Sequence, residues 1–378
     1  MITHSTGIFC AQFIAALSLL CPGPVSAQIR IGQTTGITGP AATAVKEINL
    51  GAKLYLDSVN AEGGINGQKI ELISMDDKSD VPLAVENANK LISDPKVVAL
   101  FLSRGTPQSL ALLPVLASGR IPLIAPSTGA MALHTPVNPW VFNVRANYRR
   151  EAEAVTRHLG LAGLEKVVVL YQKDSFGEDA VEGAFKVFKE AGVKPSISQF
   201  MDRDKPDYAA LMPKLIDLKP MAVIIIASPS SVITGIKALR AAGLAATIAT
   251  LSNNASSGFT TALGATGKGV IVSQVFPSER RLALPLIASA ARLAEATKVP
   301  ELTPAMIEGF SAAKVLVAGL RRAEKDNKVI TGASLRRALE SFQRVDIGGI
   351  EISFSPTNHT GLEFAELSII GEGGAFRR

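Results

Sequence analysis

The feature that most constrains the fold is a unit that recurs along the chain: a short apolar run, a small polar turn and the start of a helix. Residues 97–107 show it, with the run VVALFL followed by SRGTP. A short apolar run that is β-branched at its start is typical of a buried parallel strand. Thr106 is predicted to cap the next helix, with Pro107 at its first position. Such a helix start directs free backbone N–H groups at one spot, which predicts a seat for an anion.

The same alternation runs through most of the chain. Strand-like and helix-like segments alternate over residues 29–125, and a second cycle of similar length begins near Tyr148. Alternation with short connections predicts an α/β fold in which each cycle forms a mostly parallel sheet flanked by helices. Residues 175–178 (SFGE) are predicted as a capping box. The segments after residue 283 are too few for a third unit, so we expect them to pack on the first two.

The N-terminus predicts export. Residues 8–20 are almost entirely apolar but too short to span a bilayer, and VSA at residues 25–27 is a small-residue cleavage pattern. We therefore interpret residues 1–27 as a signal peptide, although no Lys or Arg precedes the apolar run. Both cysteines, Cys10 and Cys21, lie in this segment, so the mature chain needs neither disulfide nor thiolate chemistry.

Composition excludes several classes of partner. The formal net charge is +6 over 378 residues and aromatic residues make up 5%, too few for a base-stacking surface. We therefore expect no nucleic acid partner. No later apolar run has membrane-spanning length, so we expect the mature protein not to span a membrane itself.

Candidate site residues are sought beyond the carboxyl ends of the predicted strands, where open α/β sheets bind their ligands. Small hydroxyl and glycine residues dominate these turns, which present neutral donors suited to a carboxylate. Each turn taken alone could equally be ordinary helix capping, whereas several turns on one cleft favour a ligand site. The candidate ligand-binding residues are Ser103, Arg104, Gly105, Thr106, Ser127, Thr128, Gly129, Tyr148, Phe176, Ser228, Ser252 and Asn253.

The sequence contains few residues whose spacing would support catalysis or metal binding. Asp76 and Asp77 follow a strand and could suggest a metal, but no histidine is near in sequence, so a solvated turn is the favoured interpretation. The four histidines share no ligand spacing, and no dinucleotide, phosphate-loop or nucleophile-elbow motif occurs. We expect no metal, no cofactor and no enzymatic activity.

Several segments resemble a known family. The stretches IRIGQTTGITGP, NAEGGINGQKIEL, FLSRGTPQS and IPLIAPSTG are similar to the periplasmic solute-binding proteins of ABC transporters, in the leucine/isoleucine/valine-binding (type I) branch. The resemblance implies a two-lobe clamshell with three hinge crossings. By this similarity, lobe 1 comprises residues 28–146 plus 276–356, and lobe 2 comprises residues 147–275 plus 357–378.

The resemblance also implies roles for the turns. Residues 103–106 and 127–129 would hold the carboxylate and part of the ammonium of an amino acid, and Phe176 would close over it from lobe 2. The family's acidic residue for the ammonium falls near Ser252, which has no carboxylate, and Arg104 is an added cation. An uncompensated buried ammonium is costly. We therefore expect a small acid without an amine, or one whose amine meets neutral acceptors.

The expected function is that of an exported, monomeric, periplasmic receptor that delivers a small carboxylate ligand to an ABC permease in the inner membrane. A periplasmic sensor that reports the ligand to a signalling partner shares the same fold and pocket, and the sequence alone hardly separates the two.

Overall fold

The computed structural model describes residues 28–203 and 205–378, so the predicted signal peptide lies outside the described residues. The first part of the chain forms a five-stranded parallel sheet with the order β2-β1-β3-β4-β5. Its elements are β1 (Ile29–Thr35), α1 (Ala42–Ala61), β2 (Ile70–Asp76), α2 (Val81–Ser93), β3 (Val97–Phe101), α3 (Thr106–Ala111), α4 (Leu113–Gly119), β4 (Leu123–Ile124) and β5 (Val141–Phe142).

The second part forms the core of a seven-stranded sheet. Its elements are α5 (Tyr148–Leu161), β6 (Val167–Gln172), α6 (Ser175–Glu190), β7 (Ile197–Met201), α7 (Tyr208–Leu218), β8 (Ala222–Ile226), α8 (Pro229–Ala241), β9 (Thr247–Thr250), α9 (Ser257–Leu263) and β10 (Ile271–Gln274).

The last part of the chain adds helices to the first sheet and strands to the second. It comprises α10 (Pro285–Ala296), α11 (Pro304–Asn327), α12 (Gly332–Glu340), β11 (Val345–Asp346), β12 (Glu351–Ile352), β13 (Glu366–Ile370) and β14 (Phe376–Arg377). Helices α10 and α11 pack on α1, and α12 packs on α11 and β3. Strand β13 pairs antiparallel with β10, and β14 extends that edge. The chain therefore passes between the two sheets after β5, after β10 and after β12.

Helices cover both faces of each sheet, which explains why central strands such as β3 and β8 are apolar throughout. One apolar cluster joins the first sheet to α1, α11 and α12, and another joins its opposite face to α2 and α4. Two further clusters cover the faces of the second sheet. All five residues of β3 and all five of β8 are buried, as parallel strands covered by helices require. We call each sheet with its packed helices a lobe; the two lobes have the expected α/β architecture of mostly parallel sheets flanked by helices.

One predicted helix is interrupted. The sequence predicts a single helix over residues 107–118, whereas the structure divides it at Leu112 into α3 and α4. Pro114 explains the break, because its ring displaces the carbonyl four residues earlier and it has no N–H to donate.

Candidate functional site

The two lobes repeat one strand order, and this locates the cleft. Read from β7, the parallel strands of the second sheet follow β7-β6-β8-β9-β10, which matches β2-β1-β3-β4-β5 of the first. The direction of winding reverses between β1 and β3 and between β6 and β8, and such switch points leave a crevice at the carboxyl ends of the strands. Loops from both crevices line one cleft, which with the solvent at its mouth holds about 480 Å³ of empty space.

Most of the predicted site residues line this cleft. They are Arg104, Gly105, Thr106, Ser127, Tyr148, Phe176, Ser228 and Asn253. The other four predicted residues are not in its lining, and three of them, Ser103, Thr128 and Gly129, are buried behind the first-lobe turns. The lining also includes residues that were not predicted as ligand contacts: Ala41, Ser79, Pro107, Gln108, Gln172, Arg203 and Pro229.

The first-lobe wall consists of residues 103–108 and 127–129. Gly105 has φ +100°, and a Cβ there would lie 2.2 Å from Oε1 of Gln108, so both conformation and space favour glycine. The predicted Thr106 cap is wrong: Gly105 occupies the N-cap position of α3, and the Thr106 hydroxyl bonds that of Thr128 at 2.7 Å. Thr106 is already the first helical residue, and no side chain caps α3. With six residues, α3 also supplies little dipole, so the charge of the wall comes from Arg104.

Arg104 points into the molecule and joins the two lobes. Its Nη1 donates to Ser127 Oγ at 2.9 Å and its Nη2 donates to the Asn253 carbonyl at 2.9 Å. The residue is only 8% exposed. Burial lowers the pKa of Arg104, but a guanidinium in a protein keeps its proton. A fixed cation therefore stands where the first lobe meets the second.

A buried ionic network lies behind this arginine. Ser127 Oγ donates to Glu308 at 2.8 Å. Arg145 donates to Glu151 at 2.5 Å and lies 3.7 Å from Glu308. Burial alone would lower the pKa of Arg145, but the nearby Tyr148, Glu308 and Glu151 hold it above its ordinary value. With Arg104, the network contains two cations and two anions, so its charges balance.

Ser252 belongs to this network, although the sequence predicts it as a ligand contact. Its hydroxyl accepts from Arg145 at 2.6 Å, and its N–H donates to Glu151 at 2.9 Å. Glu151 also accepts from Ser273 Oγ at 2.5 Å. A buried ion pair is tolerated only when its remaining donors and acceptors find partners. Ser252 therefore satisfies the ion pair and is absent from the cleft lining.

The second-lobe wall consists of residues 172, 176, 203, 228–229 and 253, with Asp174 behind it. Asp174 is its central acceptor: one carboxylate oxygen accepts from the N–H groups of Phe176 and Gly177 at 3.0 Å each. The other oxygen accepts from Gln172 at 2.5 Å and from Arg203 at 2.6 Å. The predicted capping box at residues 175–178 is therefore wrong, because Asp174 precedes Ser175 and already satisfies the first free amides.

Two further features complete this wall. The side-chain carbonyl of Gln172 accepts from the N–H of Ser228 at 3.0 Å, which ties the loops after β6 and β8 together. Phe176 and Tyr148 form an edge-to-face pair with ring centroids 4.7 Å apart. The rings give the cleft an apolar surface beside its polar walls. Gln172 is the last residue of β6, and Arg203 follows β7. Their positions at the carboxyl ends of strands could have identified both as candidate site residues.

The lobes also touch at the rims of the cleft. On one side, the Glu47 carboxylate accepts from Ser257 N at 3.0 Å, Ser257 Oγ at 2.7 Å and Gly258 N at 3.0 Å. On the other side, the N–H of Met131 donates to Asp179 at 2.8 Å. Glu47 and Met131 belong to the first lobe and their partners to the second, so these contacts hold the lobes together.

The acidic pair after β2 is not a solvated turn. Asp77 is fully buried, accepts from Ser79 N at 2.8 Å and Thr34 Oγ1 at 3.2 Å, and burial raises its pKa to about 6. Asp76 remains at the surface, where it binds Thr38. In residues 28–203 and 205–378, no three histidine, cysteine or acidic side chains gather as metal ligands do. Asp77 instead supports the Ser79 segment of the cleft.

Comparisons with known proteins identify the family. A family model described as periplasmic binding protein matches residues 28–365. The chain belongs to this family. Its members bind small ligands in the periplasm, and the named relatives are binding proteins rather than enzymes. Over the described residues, no helix has both the length and the apolar character needed to cross a membrane.

The names of individual relatives are consistent with this family. A Brucella abortus protein named Leu/Ile/Val-binding protein homolog 2 is 26% identical over 212 residues, 55% of this chain and 56% of that protein. The chain thus matches about half the length of such curated relatives. A substrate-binding periplasmic protein from Ralstonia solanacearum has 28% identity and a TM-score of 0.85, with 92% of this chain and 99% of that chain covered. A structure of a branched-chain amino acid ABC transporter from Thermus thermophilus with bound valine shares the fold. It has 20% identity and a TM-score of 0.79, with 93% of this chain and 95% of that chain covered.

Proposed function

We propose that this chain is the solute-binding receptor of an ABC transporter and that it holds a small carboxylate-bearing ligand between its lobes. The cleft at the two switch points carries this proposal. Its charged lining residues in the described chain are Arg104 and Arg203, and no carboxylate side chain lines it. Charge-assisted hydrogen bonds from guanidinium groups stabilise a carboxylate, whereas a buried ammonium would lack a counter-charge.

Ligand donors come from both walls. On the first-lobe wall, the donors are the Arg104 guanidinium and the Thr106 hydroxyl, because the Ser127 hydroxyl already donates its one proton to Glu308. If the ligand carries an amine, a neutral acceptor is at hand, because Oε1 of Gln108 has no hydrogen-bond partner in the structure. These groups favour an organic acid and accommodate an amino acid.

Hinge closure provides the delivery step. We propose lobe boundaries at residues 146, 275 and 356, in the three passages between the sheets. Closing the lobes excludes water from the ligand and produces the arrangement that a permease recognises. The rim contacts of Glu47 and Asp179 are those that closure would form.

The ligand test uses calorimetry and thermal shifts on the purified protein against aliphatic acids, aromatic acids, dicarboxylates and branched-chain amino acids. A ligand present at 100 times its Kd raises the free energy of unfolding by about 2.7 kcal/mol, so micromolar ligands stand out. Arg104→Met should weaken binding of the best acid at least 100-fold, and Arg104→Lys should weaken it less. Arg292→Met, at an exposed position on α10, is the matched control. Unchanged affinity in Arg104→Met would refute this site.

Export and transport need separate tests. We propose that residues 1–27 are removed on export and that the receptor acts as a monomer in the periplasm. N-terminal sequencing of the protein from a periplasmic extract should begin at Gln28. Uptake of the identified acid should stop when the gene is deleted; continued uptake with loss of a transcriptional response would favour the sensor instead.

A further inference from the structure

The two walls of the cleft each present one guanidinium. Arg104 comes from the first-lobe turn after β3, and Arg203 comes from the second lobe, two residues beyond β7. The carboxylates that balance them stand behind the walls: Glu308 behind Arg104, and Asp174 behind Arg203. None of the acidic residues in the described chain is part of the cleft lining. The surface that meets a ligand is therefore cationic on both sides.

Arg203 is held in place by a carboxylate that is already well satisfied. Asp174 accepts two backbone N–H groups at the start of α6 and the side-chain amide of Gln172 in addition to Arg203. The ion pair engages Nη1 of a group that carries five N–H donors. The Arg203 side chain remains 29% exposed, whereas that of Asp174 is 14% exposed. Asp174 thus orients the Arg203 guanidinium but uses only part of its N–H donors.

The space between the two arginines is partly apolar. Pro107 and Tyr148 line it from the first turn and the first passage between lobes, and Phe176 and Pro229 line it from the second lobe. A ligand that matches Arg104, Arg203 and the apolar surface between them has an acidic group at each end and a hydrocarbon segment in the middle. An amino acid with an apolar side chain would instead bring its ammonium and its aliphatic end to a cleft with a cation on each wall.

We propose that the ligand is a small dicarboxylate, with one carboxylate held by the first-lobe wall and Arg104 and the other by Arg203. This inference rests on the proposed function as a carboxylate receptor and narrows its ligand class. In it, Arg203 is the residue that determines specificity: it distinguishes a second carboxylate from an apolar end. Loss of Arg203 should therefore remove the preference for dicarboxylates without removing the ability to bind one carboxylate.

The test compares acids of equal length by calorimetry on the purified protein. The pairs are succinate with butyrate, glutarate with valerate, adipate with hexanoate, and phthalate with benzoate. At least one dicarboxylate should bind tenfold or more tightly than its partner. In Arg203→Gln this acid should lose at least tenfold in affinity, while its monocarboxylate partner changes less than twofold.

Arg157→Gln is the matched control, because this second-lobe arginine also pairs with one carboxylate, Glu190, but lies on the exposed face of α5. It should leave both affinities unchanged. Monocarboxylates that bind as tightly as dicarboxylates, or an Arg203→Gln variant that weakens both acids equally, would overturn the dicarboxylate inference and leave the receptor function standing. Failure of every acid to bind the unmodified protein would overturn both.

Discussion

The two walls of the cleft are built on different plans. The first-lobe wall is continuous with its sheet: Ser127 N donates to the Ser103 carbonyl at 2.8 Å, and Arg104 and Ser127 form an isolated parallel bridge. The second-lobe wall depends on one side chain, Asp174, which accepts four hydrogen bonds. Backbone pairing spreads the support of the first wall over many groups, whereas one substitution can remove the support of the second. The first wall should therefore keep its shape under mutation better than the second.

The largest expected effect concerns the network behind both walls. Arg145→Met leaves Glu151 and Glu308 buried without their cation, and an uncompensated buried charge costs about 3–5 kcal/mol. Urea unfolding should record this loss in the free energy of unfolding. The double variant Arg145→Met/Glu151→Gln should recover part of it, since one unpaired charge is then gone. A single-variant loss below about 1 kcal/mol would contradict the role given to this network.

The next prediction concerns Asp77, the buried acid that supports the Ser79 segment of the cleft. Asp77 has a folded pKa of about 6, above its unfolded value. Between these values the unfolded chain releases a proton that the folded chain keeps, so this residue makes stability fall as pH rises toward 6. Asp77→Asn should remove that fall and raise the free energy of unfolding at pH 7.5 by about 1–3 kcal/mol.

The neighbouring Asp76→Asn is the control, with the opposite sign. Hydrogen bonds from Thr38 and Lys78 outweigh burial and hold the pKa of Asp76 below its usual value. Its contribution is present at neutral pH and lost as pH falls. Equal pH profiles of the two variants in thermal unfolding would show that Asp77 is not the buried acid described.

The comparison of the walls is tested directly at Asp174. Asp174→Ala removes the cap of α6 together with the anchors of Gln172 and Arg203, and should cost about 1–2 kcal/mol of stability. Affinity for the ligand should fall as well. Asp174→Asn, which keeps an oxygen for the cap, should restore most of the stability but not the affinity. Thr128→Val, which removes one hydroxyl from the first wall, should change affinity less than either; a larger loss there would reverse the comparison.

The smallest effect lies at the rim. Glu47→Ala removes a carboxylate that caps α9 across the cleft, a contact worth about 0.5–1 kcal/mol. Ligand affinity should fall about two- to fivefold, because the closed arrangement is weakened, while the unfolding midpoint without ligand stays within error. Glu86→Ala, an exposed first-lobe residue paired with Lys90, is the control. An affinity unchanged by Glu47→Ala would remove this contact from the account of closure.

The sequence predicts the architecture far better than the details of the site. Alternating apolar runs are enough to place β3 and β8, because buried parallel strands leave little choice of residue type. The turns of the first wall follow from their position after β3 and β4. The bonds of Ser252 to Arg145 and Glu151 could not be predicted, because these residues are distant in sequence. Arg203 was not among the candidates because it stands outside the turns rich in hydroxyl residues, although its place after β7 could have pointed to it.

The ionic network and the rim contacts sit at different distances from the passages between lobes, and this has a practical consequence. Arg145 and Glu151 lie at the first passage, where the proposed rotation of the lobes would produce little displacement, whereas Glu47 and Ser257 lie at the rim, where the same rotation would produce the most. Both cysteines of the sequence fall within residues 1–27, and Trp140, the single tryptophan, is buried away from the cleft. A single engineered cysteine at position 257, labelled with a dye whose fluorescence depends on its surroundings, should therefore report ligand concentration through the proposed closure.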